Sequence, residues 1–331
     1  MATLLTIKDM RIHFRILAGT AKAVDGISFH INRGETLGIV GESGCGKSVS
    51  ALALLQLIPM PPGELKGGQV VFEGMDLLRL SSDEIRDVRG NKISMIFQEP
   101  MTSLNPVFTI GNQICESIRL HQNLKPKHAE EKAMEMLDLV GIPDPRRRLK
   151  EYPHQLSGGM RQRSMIAMAL SCSPALLIAD EPTTALDVTV QAQILDLMLD
   201  LQSKSGMSIM MITHDLGVIA ETADRVIVMY CGRIVEMADV RGIFQNPLHP
   251  YTRQLMASVP RLETNQSRLQ EIPGMVPSLY NLPKGCDFYP RCSEAVEEDC
   301  CYKKPSLEEV ETGHMVACNR VTRNIIDGER V

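Results

Sequence analysis

Apolar and polar positions alternate along two stretches near the start of the chain. Leu5, Ile7, Ile12 and Phe14 alternate loosely and predict an edge strand over residues 4–14, while Ile27, Phe29 and Ile31 alternate cleanly and predict a half-buried strand. Residues 36–40 are a short apolar run that enters a glycine-rich turn. An apolar helix is expected next, over residues 47–58, stopped by Pro59 and the Pro61-Pro62-Gly63 break. Further strands are expected at 70–72 and 93–97. Between about 105 and 170 the period becomes helical. Ile110, Ile114 and Ile118 recur every fourth residue, Ala133, Leu137 and Val140 make a second apolar face, and Ser157 precedes a helix rich in Met and Ala. After it come a buried strand at 175–179, a helix at 188–203, a strand at 208–213, a short helix, and two strands near 226–228 and 233–235. Strands alternating with helices imply a parallel sheet covered on its faces, and the helical block reads as an inserted subdomain. Beyond about residue 260 the chain shows Pro, Gly and Cys with little periodicity.

Composition narrows the class. The chain has 331 residues, 44% hydrophobic and 4% aromatic, with 35 Lys and Arg against 40 Asp and Glu for a formal charge of −5. A mildly acidic chain is a poor general binder of nucleic acid. Lys8, Asp9 and Arg11 break the first apolar run, so the N-terminus does not read as a secretory signal. No apolar run reaches the length that spans a bilayer. A reducing cytosol is the expected compartment, where structural disulfides are uncommon.

The chemistry begins at Gly41-Glu-Ser-Gly-Cys-Gly-Lys47-Ser48, a G-x-x-x-x-G-K-S loop between a strand and a helix. Its glycines let backbone N–H groups turn inward around an anion, and the helix N-terminus adds its dipole. Lys47 is expected on the β/γ phosphates and Ser48 on Mg²⁺. The apolar strand before Asp180-Glu181 supplies the second half: Asp180 for Mg²⁺ and Glu181 to polarise the attacking water. Alone that pairing is weak; following a phosphate loop it is strong. His214 and Gln98 each end an apolar strand, at the sheet edge where ligands of α/β folds bind, so His214 is expected on the γ-phosphate. Ser157-Gly158-Gly159 opens another helix with a second anion-binding end. An ordinary capped helix is the bland reading of that segment.

With these motifs in order, the chain resembles the ABC ATPase family. Gly41–Ser48, through Val49, corresponds to Walker A, Gln98 to the Q-loop, and residues 156–160 to the signature. Residues 178–181 correspond to Walker B, Ala185-Leu186-Asp187 to the D-loop and His214 to the switch histidine. The resemblance implies an α/β fold: a P-loop NTPase cassette with a RecA-like core, an antiparallel β-subdomain and an inserted α-helical subdomain. It implies Ser43, Gly44, Cys45, Gly46 and Val49 among the ATP-binding residues and Phe14 stacked on adenine. Ser48, Gln98 and Asp180 would surround Mg²⁺. Cassettes of this family pair head to tail, so Ser157, Gly158 and Gly159 would serve a partner's nucleotide, and Asp187 would be the D-loop residue. Met160 stands where Gln is frequent, and Cys45 fills the loop while making it an alkylation target.

Within the family the chain looks closest to ATPase subunits of bacterial dipeptide and oligopeptide importers. The matching segments are Gln98-Glu-Pro-Met-Thr-Ser-Leu-Asn-Pro106, Tyr152-Pro-His-Gln-Leu-Ser-Gly-Gly, Asn246-Pro-Leu-His-Pro-Tyr-Thr252, Ile272-Pro-Gly274, Gly285-Cys286 and Pro290-Arg-Cys292. This implies a cassette over residues 1–260 and an extension over 261–331. The implied partners are a paralogous ATPase subunit, two membrane permeases and an extracellular binding protein, with the chain on the cytoplasmic face of the membrane. Nickel importers share the subgroup. A DNA- or ribosome-associated ATPase is the competing class; it is disfavoured by the acidic balance, with Arg146-Arg147-Arg148 the only notable basic run.

The tail gathers five of the nine cysteines. Cys286, Cys292, Cys300 and Cys318 are spaced C-x5-C-x7-C-x17-C, without the paired C-x2-C of zinc sites. Four thiolates with irregular gaps suit a [4Fe–4S] cluster, which the resembling importer ATPases carry here. Zinc remains an alternative, with His314 as a further ligand, and Cys301 competes with Cys300 for the third place.

Overall fold

The computed structural model describes residues 2–17, 19–98, 103–183, 187–258 and 272–326. Its strands are β1 (Thr3–Ile16), β2 (Gly19–Asn32), β3 (Thr36–Val40), β4 (Gly63–Phe72), β5 (Met75–Asp76), β6 (Ile93–Ile96), β7 (Leu176–Asp180), β8 (Ser208–Ile212), β9 (Arg225–Tyr230), β10 (Arg233–Asp239), β11 (Glu308–Glu311) and β12 (His314–Val316). The chain divides into two compact units. One comprises Ile31–Glu35 and Arg79–Ile212 with the first residues of the chain; the other comprises Leu4–His30, Thr36–Leu78 and Thr213–Val331.

In the first unit β6, β7 and β8 form a parallel sheet in which Asp180 stands opposite Ile212. Every position of β7 and β8 is buried, so these strands read as continuous apolar runs rather than alternations. The helices Ile110–Gln122, Pro126–Leu139 and Gly158–Leu170 pack on one another. The first two turn the expected faces inward: Ile110, Ile114, Ile118, Ala133 and Leu137 are all buried. Each fully buried Ile contributes about 1.5–3 kcal/mol. Ser157 caps the third of these helices, and its C-terminal residues leave it at Ser171.

In the second unit a sheet runs in the order β2-β1-β4-β5, with β1-β4 and β4-β5 antiparallel. The N-terminal strand is therefore interior, with β2 on one side and β4 on the other, and not the edge expected from its loose alternation. Asp9, at a positive φ of 47°, and the register shift between Lys8 and Arg11 break its period. β2 keeps the clean alternation, with Ile27, Phe29 and Ile31 buried. The remaining strands run in the order β11-β12-β10-β9-β3. Only β3 and β9 are parallel there; β9-β10, β10-β12 and β12-β11 are antiparallel. A sheet expected to be parallel thus carries an antiparallel flank, and the aperiodic tail supplies two of its strands. β12 is short enough to hide its period, yet Val316 and His314 on it are buried against Glu236 and Leu248.

Candidate functional site

β3 is buried at all five positions and delivers the chain into the glycine loop. Gly41 and Gly46 have φ of 148° and 102°, a region glycine enters without strain. A Cβ on Gly41 would lie 2.2 Å from the Met229 carbonyl oxygen, and one on Gly46 2.2 Å from that of Ala23. Both glycines are thus required by close backbone approach. Ser43 and Gly44 are exposed at the tip, while Ser48 and Val49 are half-buried in the first turn of the helix Lys47–Leu54. No side chain caps that helix, the arrangement in which an anion fills the role of cap. Lys47 is buried, and its Nζ donates to the carbonyls of Gly41 at 2.6 Å and Glu42 at 3.2 Å. The ammonium is held across its own loop. Cys45 is 2% exposed, and burial raises its thiol above the ordinary range, so it packs the loop and is a poor alkylation target. Phe14 is half-buried on β1, opposite Gly63.

In the other unit β7 ends at buried Asp180. Glu181 follows at a positive φ of 48°. Its N–H donates to the Ile212 carbonyl at 2.8 Å, and its Oε2 accepts from Gln98 Nε2 at 2.9 Å. The structure thus brings together two of the expected residues, Gln98 and Glu181, from the ends of neighbouring strands. His214 is exposed two residues beyond β8. Ser157 Oγ accepts the Met160 N–H at 3.3 Å, and an added Cβ on Gly158 would meet nothing within 4 Å. Gly159 is half-buried, near Val190. Asp187 caps the helix Val188–Ser205 by accepting the Val190 N–H at 2.9 Å. Ala185 and Leu186 lie outside the described residues, as do residues 99–102 after Gln98.

Three residues outside the expected set enclose the loop. Tyr251 Oη accepts the Glu42 N–H at 2.9 Å. Arg291 forks onto the Glu42 carboxylate at 2.6 and 3.1 Å. Tyr230, which packs against Tyr251 and Phe288, receives a further bond from Arg291 at 3.3 Å. The sequence signal was an acidic residue inside a loop shaped for phosphate, a charge that demands a counterion.

In the tail, burial pushes Cys286 up to about 12 and Cys292 to about 11, and raises Cys318. Charge on Cys318 and Cys300 adds to the first two, and charge on Cys300 to Cys318. Cys301 instead raises Tyr289. The Cys286 N–H donates to the Cys300 carbonyl at 2.8 Å. The expected metal cluster gains no support from their spacing: among the described residues no three His, Cys, Asp or Glu are gathered to hold a metal ion. His314, the alternative ligand, is engaged by Glu236 at 2.8 Å.

A glycine loop crossed by its own lysine, ahead of an uncapped helix on an α/β fold, defines a nucleotide-binding P-loop cassette. The sequence profile of the ABC transporter family matches residues 24–184, and that of the oligopeptide/dipeptide transporter C-terminal region matches 235–301. The probable peptide ABC transporter ATP-binding protein y4tR of Sinorhizobium fredii is 58% identical over 96% of this chain and 95% of its own. The oligopeptide transport ATP-binding protein AppD of Bacillus subtilis is 51% identical over 96% and 97%. Among solved structures, the ATP-binding cassette MJ0796, dimeric and bound to ADP and phosphate after hydrolysis, aligns with a TM-score of 0.65. It is 26% identical over 72% of this chain and all of that one. The chain belongs to the ABC transporter family of ATP-binding proteins, in its oligopeptide/dipeptide branch. ATP hydrolysis is the activity of this class, with ATP and Mg²⁺ its cofactors, and no helix among the described residues is long and apolar enough to cross a membrane.

Proposed function

We propose that this chain hydrolyses ATP on the cytoplasmic face of a bacterial membrane to drive import of dipeptides and oligopeptides through two permease subunits, fed by an external substrate-binding protein. The observation that carries the reading is a phosphate cradle built around Lys47 in a chain whose residues 235–301 match the oligopeptide/dipeptide transporter region. Relatives named for peptide and oligopeptide transport, at above half identity, support the substrate class.

The residue roles proposed are those that the motifs imply. Gly41, Ser43, Gly44, Cys45, Gly46, Lys47, Ser48 and Val49 hold the phosphates, and Phe14 lies under adenine. Ser48, Gln98 and Asp180 are the oxygen donors suited to Mg²⁺, which supplies neutralising charge on the phosphates. Glu181, held by Gln98, takes a proton from the attacking water. The water oxygen bonds to the γ-phosphorus as the bond to the departing ADP oxygen breaks. His214 contacts the γ-phosphate. Ser157, Gly158 and Gly159 act on the nucleotide of a second cassette, a paralogous chain, and Asp187 belongs to the D-loop. The cassette occupies residues 1–260, with its helical subdomain at about 105–170, and the extension occupies 261–331.

Cys286, Cys292, Cys300 and Cys318 are the thiols that would ligate a [4Fe–4S] cluster, because four thiols with irregular gaps suit iron ligation. Anaerobically purified chain is then brown with close to four irons, a count set by the cluster. Colourless chain with one zinc, or with no metal, removes the cluster. The transport reading is tested by isolating the chain from membranes with its companions and measuring labelled-dipeptide uptake with Glu181→Gln in place of the native chain. Permease companions and lost uptake are expected; ribosomal or DNA companions with normal uptake would overturn it.

A further inference from the structure

A carboxylate inside a phosphate loop is a liability, because its charge repels the triphosphate the loop must hold. Glu42 occupies that position, directly after Gly41. Its carboxylate is engaged by both terminal nitrogens of Arg291, at 2.6 and 3.1 Å, a bidentate ion pair whose arginine side chain is only 3% exposed. Every other donor direction of that guanidinium is also used: Nε on the Pro273 carbonyl at 3.0 Å, Nη1 on Tyr230 Oη at 3.3 Å and Nη2 on the Ile272 carbonyl at 3.2 Å. The Arg291 guanidinium stands 5.9 Å over the Tyr230 ring. A fixed fork held on all sides is a built counterion, not a mobile surface pair. It comes from the C-terminal extension, 249 residues from its partner and adjacent to Cys292.

We infer that Arg291 is a positioning residue of the nucleotide site that acts through Glu42, cancelling its charge beside the phosphates, so that the C-terminal extension sets the affinity of this chain for nucleoside triphosphate. The inference rests on the reading of the loop as the ATP site. It gives the extension a role in nucleotide binding whether or not its cysteines carry a metal. The pair is neutral as it stands. Removing the arginine leaves a bare negative charge beside the phosphates; removing the carboxylate leaves a bare positive one. The two single substitutions therefore shift affinity in opposite directions, and the double substitution returns towards the native value.

Equilibrium binding of ATP, ADP and adenosine to the full-length chain tests this, with thermal unfolding as the check on folding. Arg291→Met is expected to weaken ATP roughly five- to tenfold, the size of one charge felt across several ångströms of partly solvated protein, with less effect on ADP and almost none on adenosine. Glu42→Gln is expected to tighten ATP by a few-fold, and Arg291→Met with Glu42→Gln to lie within about threefold of the native chain. Added salt should shrink each difference. Equal losses for ATP and adenosine, no rescue in the double variant, or weaker ATP binding in Glu42→Gln would each overturn the inference. Should Arg291→Met not fold, the sign of the Glu42→Gln shift decides alone. Lys47→Ala separates the levels: if it binds ATP like the native chain, the loop reading itself falls. If it loses ATP while the Arg291 and Glu42 variants do not move with ligand charge, only the coupling falls.

Discussion

Glu181 is held in a left-handed backbone conformation, φ 48°, that costs a non-glycine residue about 1–3 kcal/mol and persists where the surroundings fix it. Two bonds fix it here: its N–H on the Ile212 carbonyl and its carboxylate on Gln98. Exchanging the carboxylate for an amide keeps that frame and removes the proton acceptor. Glu181→Gln is expected to lower turnover more than a hundredfold while ATP affinity stays within about twofold, because general-base catalysis is lost and the phosphate cradle is not. Steady-state hydrolysis and equilibrium binding on one preparation measure both quantities; native turnover would remove the base role. At this scale the motif residues were legible because phosphate chemistry dictates residue type and spacing together. Arg291 was not, since a counterion reached across 249 residues leaves no local pattern.

At the scale of elements, the helix Gly158–Leu170 shows what a pattern can and cannot carry. Its start was legible: Ser157 is a side chain that accepts an N–H, and it does so from Met160. The buried strands β6, β7 and β8 were equally legible, each an apolar run between turn residues. β11 and β12 were missed because four and three residues hold too little alternation to register. β1 was misjudged as an edge because Asp9 and its register shift blur the period of an interior strand. The exposed start of this helix leads to a prediction. Ser157→Ala should destabilise the chain by about 1 kcal/mol through the lost cap. Ser157→Arg should abolish ATP-driven pairing of cassettes, read by light scattering or sedimentation, and leave ATP affinity of the isolated chain nearly unchanged. A large affinity loss in the isolated Arg variant would assign the signature to the chain's own nucleotide instead.

For the molecule as a whole, a buried cluster around Glu236 and His249 makes stability depend on pH, and acid should expose this. Glu236 on β10 is fully buried, and it accepts the N–H groups of Leu248 and His249 at 2.7 and 2.9 Å and faces His314 of β12 at 2.8 Å. Burial opposes its charge, but these bonds prevail and hold the carboxyl below its usual range. His249 accepts the Tyr251 N–H at 3.0 Å and caps the helix Pro250–Ala257. Burial drives its imidazole down from 6.5 to about 4, against the pull of Glu236 and with the push of Arg253. Below pH 6.5 the unfolded chain binds a proton that folded His249 refuses. Stability is therefore intact above that value and falls between about 6.5 and 4, by about 3 kcal/mol at the lower end. Glu236 adds its own loss below 4.5, as its depressed carboxyl is finally protonated. The upper window belongs to His249 alone of these two. His249→Asn keeps a side chain that caps a helix and does not titrate. Guanidinium midpoints measured from pH 7.5 to 5 should fall steeply for the native chain and stay nearly flat for His249→Asn, the two curves converging as pH drops. Parallel curves would mean that acid sensitivity arises elsewhere and that His249 takes up its proton as readily in the folded chain as in the unfolded one.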